Sequence, residues 1–440
     1  MLAVRRQYAF PFILAVLLLL ETSPAPAAED KLSLKIRDAG KIEPIDVSVV
    51  GDMKPMPAFE VPLTVVAGDP RLFFVPTGFT WLCRADNPST MAIRVDPGHC
   101  RRFSTPNRIA LSDGHALSPA EDAALGNDWV RSYAAVYSAL RLLRPWRGHD
   151  LLTVLHGENK NVRSGAALYA NTVDTNVDPA TCASGYDPTL KKFTDCWPAY
   201  NAFVSMRLAK TSSAAAPDAS LDLGPIVWPT MGYRQGVKKT SSGLRHPSAL
   251  LHDGYLYIFY TDTSQSSEEG RRGGVRVARM ALPGNDASPL GPAIPYYDGG
   301  FSDTNPSLPP GFTKERIRSF YDQPGGKASE LWSNSWQTVR FTVARLRGTH
   351  AFLGVEEYIP NNQWGVRLRL SEDLVHWSDP VAIPGDFLNQ SWGQGFLHYP
   401  VFSGPSGQMV DEVDPDGFYL VGTTTNAHPV RQRLRIELVR

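Results

Sequence analysis

One stretch constrains this chain more than any other: Leu244 to Leu282, LRHPSALLHDGYLYIFYTDTSQSSEEGRRGGVRVARMAL. An extended run opens at His246-Pro247 and reverses at Asp253-Gly254, a dipeptide suited to a tight hairpin. It returns as the aromatic run Tyr255 to Tyr260 and resumes, after a polar loop, as Val275 to Met280. Three adjacent antiparallel strands joined this way make most of a propeller blade. The pattern recurs, with central hairpin strands at Leu151–Glu158, Tyr255–Asp262, His350–Glu357 and Phe418–Thr425. Their following strands are Ala202–Lys210, Val275–Met280, Val366–Leu370 and Leu434–Val439, and a divergent copy reads as Phe79–Arg84 followed by Met91–Val95.

Helical periodicity is weak, and Gly and Pro punctuate short β-rich runs. The expected fold is therefore all-β: a five-bladed β-propeller with short helical insertions at Pro119–Leu125 and Thr313–Phe320. The last copy runs out before supplying a fourth strand, so Leu32–Ile36 or Ile45–Val50 is expected to complete it and lock the ring. The competing architecture is two stacked β-sandwich domains divided at Gly236–Gly243.

The chain opens with Arg5 and Arg6, an apolar run from Phe10 to Leu20, and a small-residue stretch from Ser23 to Ala28. That order reads as a secretory signal over residues 1–28, leaving residues 29–440 as a single domain, secreted or periplasmic. No later run approaches the roughly 20 apolar residues of a membrane span. Lysine and arginine number 44, as do aspartate and glutamate, so neither nucleic acid nor an anionic membrane is an expected partner. The four cysteines suit an oxidising compartment, and of three connectivities the local one pairs Cys83 with Cys100 and Cys182 with Cys196. Neither pair has metal-binding spacing. No cofactor is expected, and calcium is the one ion such a channel leaves room for, although no EF-hand spacing supports it.

If each blade's inner strand starts on the functional face, three kinds of position converge there. These are the starts of first strands, the ends of second strands, and the loops between blades. Starts of first strands give Asp69, His246 (with Arg245 beside it) and Tyr399. His246 precedes Pro247, which favours an extended backbone. Ends of second strands give His156, Glu158, Asn159, Asp262, Glu356 and Glu357, and a long loop offers Glu330, Trp332, Asn334 and Trp336. Carboxylates, imidazoles and indoles are what sugar cleavage uses, because one acid must protonate the leaving oxygen while a carboxylate attacks or activates water.

The segments His246–Asp262 and Ser371–Trp377 (SEDLVHW) together resemble the five-bladed propeller glycoside hydrolases, namely the arabinanase/β-xylosidase family (family 43) and its fructan-hydrolase relatives. The resemblance implies a carbohydrate substrate and a base aspartate at Asp69. It also implies a supporting aspartate at the start of a middle blade and an acid glutamate, for which Glu330 is nearest. His246 stands where the supporting aspartate would be, so acid or orienting work falls to His246, to Glu158 and Asp262, or to no residue at all. The expected catalytic set is Asp69, Glu158, Asp262 and Glu330. His156, Asn159, Arg245, His246, Trp332, Asn334, Trp336, Glu357 and Tyr399 are expected to bind substrate. A non-catalytic carbohydrate-binding propeller and a cell-envelope assembly protein are the alternatives. Residues 371–377 are expected to form a structural corner, with Asp373 capping its own turn and Trp377 packing between blades.

Overall fold

The computed structural model describes residues 32–49, 64–67, 72–76, 80–84, 93–95, 99–102, 133–160, 186–187, 192–193, 200–211, 221–231, 241–264, 273–314, 320, 323–359, 365–383, 397–404, 411–423 and 429–439. The expected signal sequence, the helix at Pro119–Leu125, most of the Thr313–Phe320 segment and the Cys182–Cys196 pair lie outside these residues. The regular elements described are strands, apart from a short 3-10 turn at Ser335–Gln337. No helix of the described residues is long and apolar enough to cross a membrane.

The strands form antiparallel meanders of four. The first comprises Thr64–Ala67, Leu72–Pro76, Thr80–Arg84 and Cys100–Arg102. The second comprises Tyr133–Trp146, His149–Lys160, Tyr200–Ala209 and Leu221–Val227. The third runs through Ser241–His252, Tyr255–Asp262, Gly274–Ala281 and Ile294–Tyr297. The fourth runs through Thr338–Leu346, Phe352–Tyr358, Gly365–Ser371 and Val381–Ala382. The fifth has only His398–Ser403, Phe418–Thr423 and Pro429–Val439 from its own stretch of chain, and Ser33–Pro44 from the N-terminal side pairs with its last strand.

The first strands of successive meanders abut, and that of the fifth meets that of the first. This is the arrangement of a β-propeller, with first strands lining the axis. Two face-to-face sandwiches would not bring all the first strands together. Leu32–Ile36 was the better of the two expected closing segments. Val47–Val49 instead pairs in parallel with Ile93–Val95, so that expected strand leaves its meander. Of the expected Phe79–Arg84, the described part Thr80–Arg84 is likewise a third strand rather than a central one, because Leu72–Pro76 precedes it.

Blade stacking explains the sequence pattern. Tyr255–Asp262 is buried at every position after Tyr255, since a neighbouring blade covers each face, and so it reads as a continuous apolar run. The tight reversals fall on Asp253-Gly254 and Arg147-Gly148, each with two consecutive positive φ angles of the kind two-residue hairpins require. Where blades two and three meet, Gly243 passes so close to Ala202 that a Cβ would lie 2.3 Å from its carbonyl oxygen. The Ser371–Trp377 corner forms as expected. Asp373 accepts the backbone N–H groups of Val375 and His376 at 3.0 and 2.8 Å. The Trp377 ring meets Phe341 of blade four and Phe259 of blade three edge-on.

Two tests follow. Leu34, 6% exposed, belongs to the core of the last two blades. Leu34→Ala should cost about 2–5 kcal/mol in urea unfolding, and a loss within error would mean that the N-terminal strand does not hold the ring. Cys83 and Cys100 are joined, closing a separation of 17 residues. Replacing both by Ala should lower stability by about 3 kcal/mol, and peptide mapping without reductant should recover the cross-linked pair.

Candidate functional site

The inner strands of blades two to five share an irregularity. Their register with the second strand slips between Val136 and Ser138, Arg245 and Ser248, Thr338 and Arg340, and His398 and Val401. Each slip is a bulge near the start of an inner strand, and a bulge re-aims the side chains it carries. Tyr137, His246 and Tyr399 are the side chains so redirected. The extended backbone expected before Pro247 is not found: His246 has φ 49° and Tyr399, also before a proline, φ 54°. For a residue with a Cβ this left-handed region costs about 1–2 kcal/mol, and the contacts of the two rings offset it.

Those contacts cross the axis. The rings of His246 and Tyr399 lie 5.3 Å apart, those of Tyr137 and Tyr399 5.8 Å, and those of Tyr137 and His246 5.6 Å, stacked. His156 joins them, 5.4 Å from Tyr137 and 5.9 Å from His246. Arg340 of blade four donates from Nη2 to the Tyr137 carbonyl of blade two at 2.8 Å, and its guanidinium lies 5.2 Å from the Tyr137 ring centre. Blades two and four, two and five, and three and five are not neighbours in the ring. Contacts between them place these side chains on the axis, where they floor the channel and turn it into a pit.

Burial sets the charge states. Burial and the adjacent His156 hold His246 well below the ordinary imidazole range, outweighing its bond to Val339. His246 is therefore neutral near pH 7, with Nδ1–H donating to the Val339 carbonyl at 2.6 Å and Nε2 left as an acceptor. Burial also lowers Arg340 to about 10, although Tyr137, Glu357 and Tyr399 oppose the shift. Glu357 is fully enclosed. His398 Nδ1 donates to one of its oxygens, and the Tyr399 N–H donates to the other at 2.9 Å. It therefore fixes the bulge that carries Tyr399, and orients the wall of the pit without opening onto it.

The remaining expected residues separate. Asp69 lies outside the described residues, in chain order between the first and second strands of blade one, not ahead of the first. The backbone of Glu158 pairs with Tyr133 and Ala202, two residues beyond His156 on the same strand, and that of Asn159 pairs with Asn201. The side chains of Glu158 and Asn159 are outside what the structure describes. Asp262 is sealed. It accepts from Ser264 N and Oγ at 2.9 and 2.6 Å and from Thr230 N and Oγ1 at 3.2 and 2.6 Å, and Arg276 lies 3.6 Å away. With every lone pair engaged and no exposed surface, it is an anchor; a catalytic role would need access that the fold denies it. Glu330 is exposed and accepts from Ser335 Oγ at 3.0 Å, on the third-strand side of blade three. Arg245 is half-buried beside His246.

Trp332 packs on Phe341, with the Arg369 guanidinium 4.3 Å from its ring centre. Asn334, exposed and left-handed, starts the 3-10 turn and accepts from Trp336 Nε1 at 3.3 Å. Glu356, adjacent to Glu357 but on the opposite face of its strand, receives Arg367 at 2.6 and 2.7 Å and Arg369 at 2.8 Å. Burial alone would raise its pKa, but the Arg367 hydrogen bonds and both guanidinium charges bring it below the usual carboxylate value. Tyr137, Arg340 and His398 were not anticipated as site residues. A usable signal existed: Arg245-His246-Pro247 and His398-Tyr399-Pro400 both set a ring directly before a proline, and Arg340 is a charge near the start of a largely apolar strand. Among the described residues, no group of three His, Cys, Asp or Glu side chains is placed to hold a metal ion.

The depressed His246 has a pH signature. Its unfolded form takes up a proton below about pH 6.5 while the folded form resists. Its contribution is therefore complete above that pH and falls as the solution is acidified towards the folded value. Wild-type unfolding free energy should decline by up to about 1.4 kcal/mol per pH unit more than that of His246→Gln between pH 6.5 and 5.5. Parallel urea titrations that coincide for the two proteins would contradict an imidazole held neutral by its surroundings.

No protein-family model matches the chain, and no curated protein does. Several solved structures are similar to it at low identity. The catalytic domain of a GH62 α-L-arabinofuranosidase from Coprinopsis cinerea is 10% identical, with 90% of this chain and 97% of that one covered and a TM-score of 0.41. An α-L-arabinofuranosidase from Lactobacillus brevis is 10% identical over 84% of this chain and 89% of that one, with a TM-score of 0.39. An α-L-arabinanase from Penicillium chrysogenum, complexed with arabinobiose, is 9% identical over 90% of this chain and 98% of that one, with a TM-score of 0.36.

Proposed function

We propose that this chain is an exported, glycoside-hydrolase-like propeller that takes a carbohydrate into the axial pit and cleaves a glycosidic bond there. The observation that carries the reading is the set of bulges that turns Tyr137, His246 and Tyr399 towards one point. A sugar ring offers an apolar face and a rim of hydroxyls. Half-buried His246 is the member of this set that a hydroxyl can reach: the free Nε2 of its neutral ring accepts without a competing proton, while Tyr137 and Tyr399, 1% and 3% exposed, hold the ring in place. Arg340, enclosed beneath the two tyrosines, keeps the floor electropositive and supports carboxylates in their charged form.

Cleavage needs two carboxyl groups, about 5 Å apart for retention or roughly 6.5–9.5 Å for inversion. Glu158 is the leading candidate for one of them, because it follows His156 by two residues where the second strand of blade two reaches the pit. Glu330 or Asp69 is the candidate for its partner. Carbohydrate as ligand, secretion or residence in the periplasm, and an absence of cofactor all belong to this proposal.

One observation favours a second reading, a carbohydrate-binding propeller without turnover. Asp262, Glu356 and Glu357, the described carboxylates at the ends of the second strands, are all enclosed and engaged. A panel of plant and microbial glycans, assayed for product and for heat of binding, separates the two. The hydrolase reading expects turnover that falls by about a hundredfold or more in Glu158→Gln while binding persists. Binding without product in the wild type would select the second reading. Silence in both assays across the panel would end both.

A further inference from the structure

The pole opposite the pit holds a cavity of about 670 Å³ that this glycan reading does not use. Every blade contributes to it: Ala67 from the first, Leu140 and Leu142 from the second, Leu251 from the third, Arg345 from the fourth and Asp411 from the fifth. Ala67, Leu251 and Arg345 lie at the far ends of their inner strands, Asp411 lies beyond the end of its own, and Leu140 pairs opposite Ala67 with Leu142 two residues further on, whereas Tyr137, His246, Arg340 and Tyr399 lie nearer the starts. The Tyr137, Arg340 and Tyr399 floor stands between the two.

The walls differ in chemistry. One is aliphatic. The hairpin joining Tyr133–Trp146 to His149–Lys160 extends beyond the neighbouring inner strands, and its Leu143, at the cavity edge, is 91% exposed. Exposed leucine beside a concave apolar wall is a surface that gains by being covered. The opposite wall is an ion pair. Arg345 Nη2 lies 3.2 Å from Asp411 Oδ2, and the Arg345 N–H donates to the Asp411 carbonyl at 2.7 Å, which fixes the carboxylate by its backbone.

That pair is not saturated. Asp411 Oδ1 and Arg345 Nε have no hydrogen-bond partner, and 34% of the Arg345 side chain stays accessible. Burial pushes the Asp411 carboxyl up against the pull of Arg345, as expected where few groups solvate it. A hydroxyl or ether suits such a pair, since it can accept from the guanidinium and a hydroxyl can also donate to the carboxylate. A ligand anion would face Asp411, Asp150 and Asp253, and a ligand cation would face Arg345 and Arg141. The volume lies within the range of about 300–1,000 Å³ that small-molecule sites occupy.

We infer that this second pole is a binding site for a small uncharged amphiphile, its aliphatic body against Leu140, Leu142 and Leu251 and its hydroxyl or ether head at the Arg345–Asp411 pair. The inference is independent of what the axial pit binds. Calorimetric titration of the full chain with triethylene glycol monooctyl ether, below its micelle concentration, tests it. Saturable one-to-one binding is expected, with octyl sulfate, octyltrimethylammonium and triethylene glycol each weaker by about tenfold or more. Leu251→Trp, which fills the cavity, should weaken the octyl ether by a similar factor. Leu142→Trp, at a half-exposed position that does not threaten the core, gives the same reading should the first variant fail to fold. No saturable binding, equal binding of the charged octyl compounds, or affinity unchanged in a folded tryptophan variant would each overturn the site.

Discussion

The pairing of Ser33–Pro44 with Pro429–Val439 is the interaction on which the rest depends. It joins the two ends of the described chain in one antiparallel ladder and supplies the strand that the last blade lacks. Until it forms, Pro429–Val439, the last strand that the fifth blade draws from its own stretch of chain, has an unpaired outer edge. Its register runs from Ser33 opposite Val439 to Pro44 opposite Val430, with two irregularities along the way. Leu34 and Ile36 face the core of the last two blades, while the ion pair of Arg37 with Glu437 stays on the exposed face. Burial of the apolar face therefore carries the closure, since an exposed ion pair contributes little. The entropy cost of closing so long a loop grows only slowly with its length, so the apolar burial at Leu34 and Ile36 can offset it.

Closure also explains why the charged residues divide into two kinds. Away from the axis, carboxylates are struts. Asp262 ties Thr230, Ser264 and Arg276 together, and Glu356 gathers Arg367, Arg369 and Thr338. Each is enclosed with its partners, and removal of one member would leave a buried charge uncompensated. On the axis the arrangement is different. Arg340 is enclosed among aromatic rings, and one of its N–H groups, on Nη1, lacks a partner. Its nearby carboxylate, Glu357, is turned towards His398 and Tyr399. The floor of the pit is thus less fully neutralised than these enclosed clusters, and unneutralised buried charge is characteristic of a place built to meet something else.

The bulges connect the scaffold to that place. A regular inner strand would alternate its side chains between the two faces of its blade and direct none along the axis. The slip at the start of each inner strand of blades two to five breaks the alternation once. At Val339 the slip also releases a carbonyl that His246 Nδ1 and Thr261 Oγ1 can use, so one blade's bulge positions the next blade's imidazole. The strained backbone of His246 and Tyr399 is held by these exchanges, a pattern in which local cost is borne by surrounding rigidity.

Much of this was legible in the chain itself. Tyr255–Asp262 and its counterparts announced their strands because a strand covered on both faces must be apolar throughout. Asp253-Gly254 announced its turn because few residue pairs accept two positive φ angles. The sorting of strand starts and ends also put His156, His246, Tyr399 and Glu357 at one pole, and in the fold the His246 ring neighbours those of His156 and Tyr399 while Glu357 accepts from the Tyr399 N–H. It failed for blade one, where Asp69 follows the inner strand. It could not separate Asp262 and Glu357, whose sealing needs partners elsewhere in the chain such as Thr230 and His398, from groups open to a ligand. Nor did it reveal Tyr137 and Arg340, whose roles arise only when non-neighbouring blades face each other across the axis. Local sequence fixes which segments extend and where they reverse, because those choices depend on a residue and its immediate neighbours. Whether a polar side chain ends as a strut or lines a pit depends on where ring closure places its partners, and only the folded whole determines that.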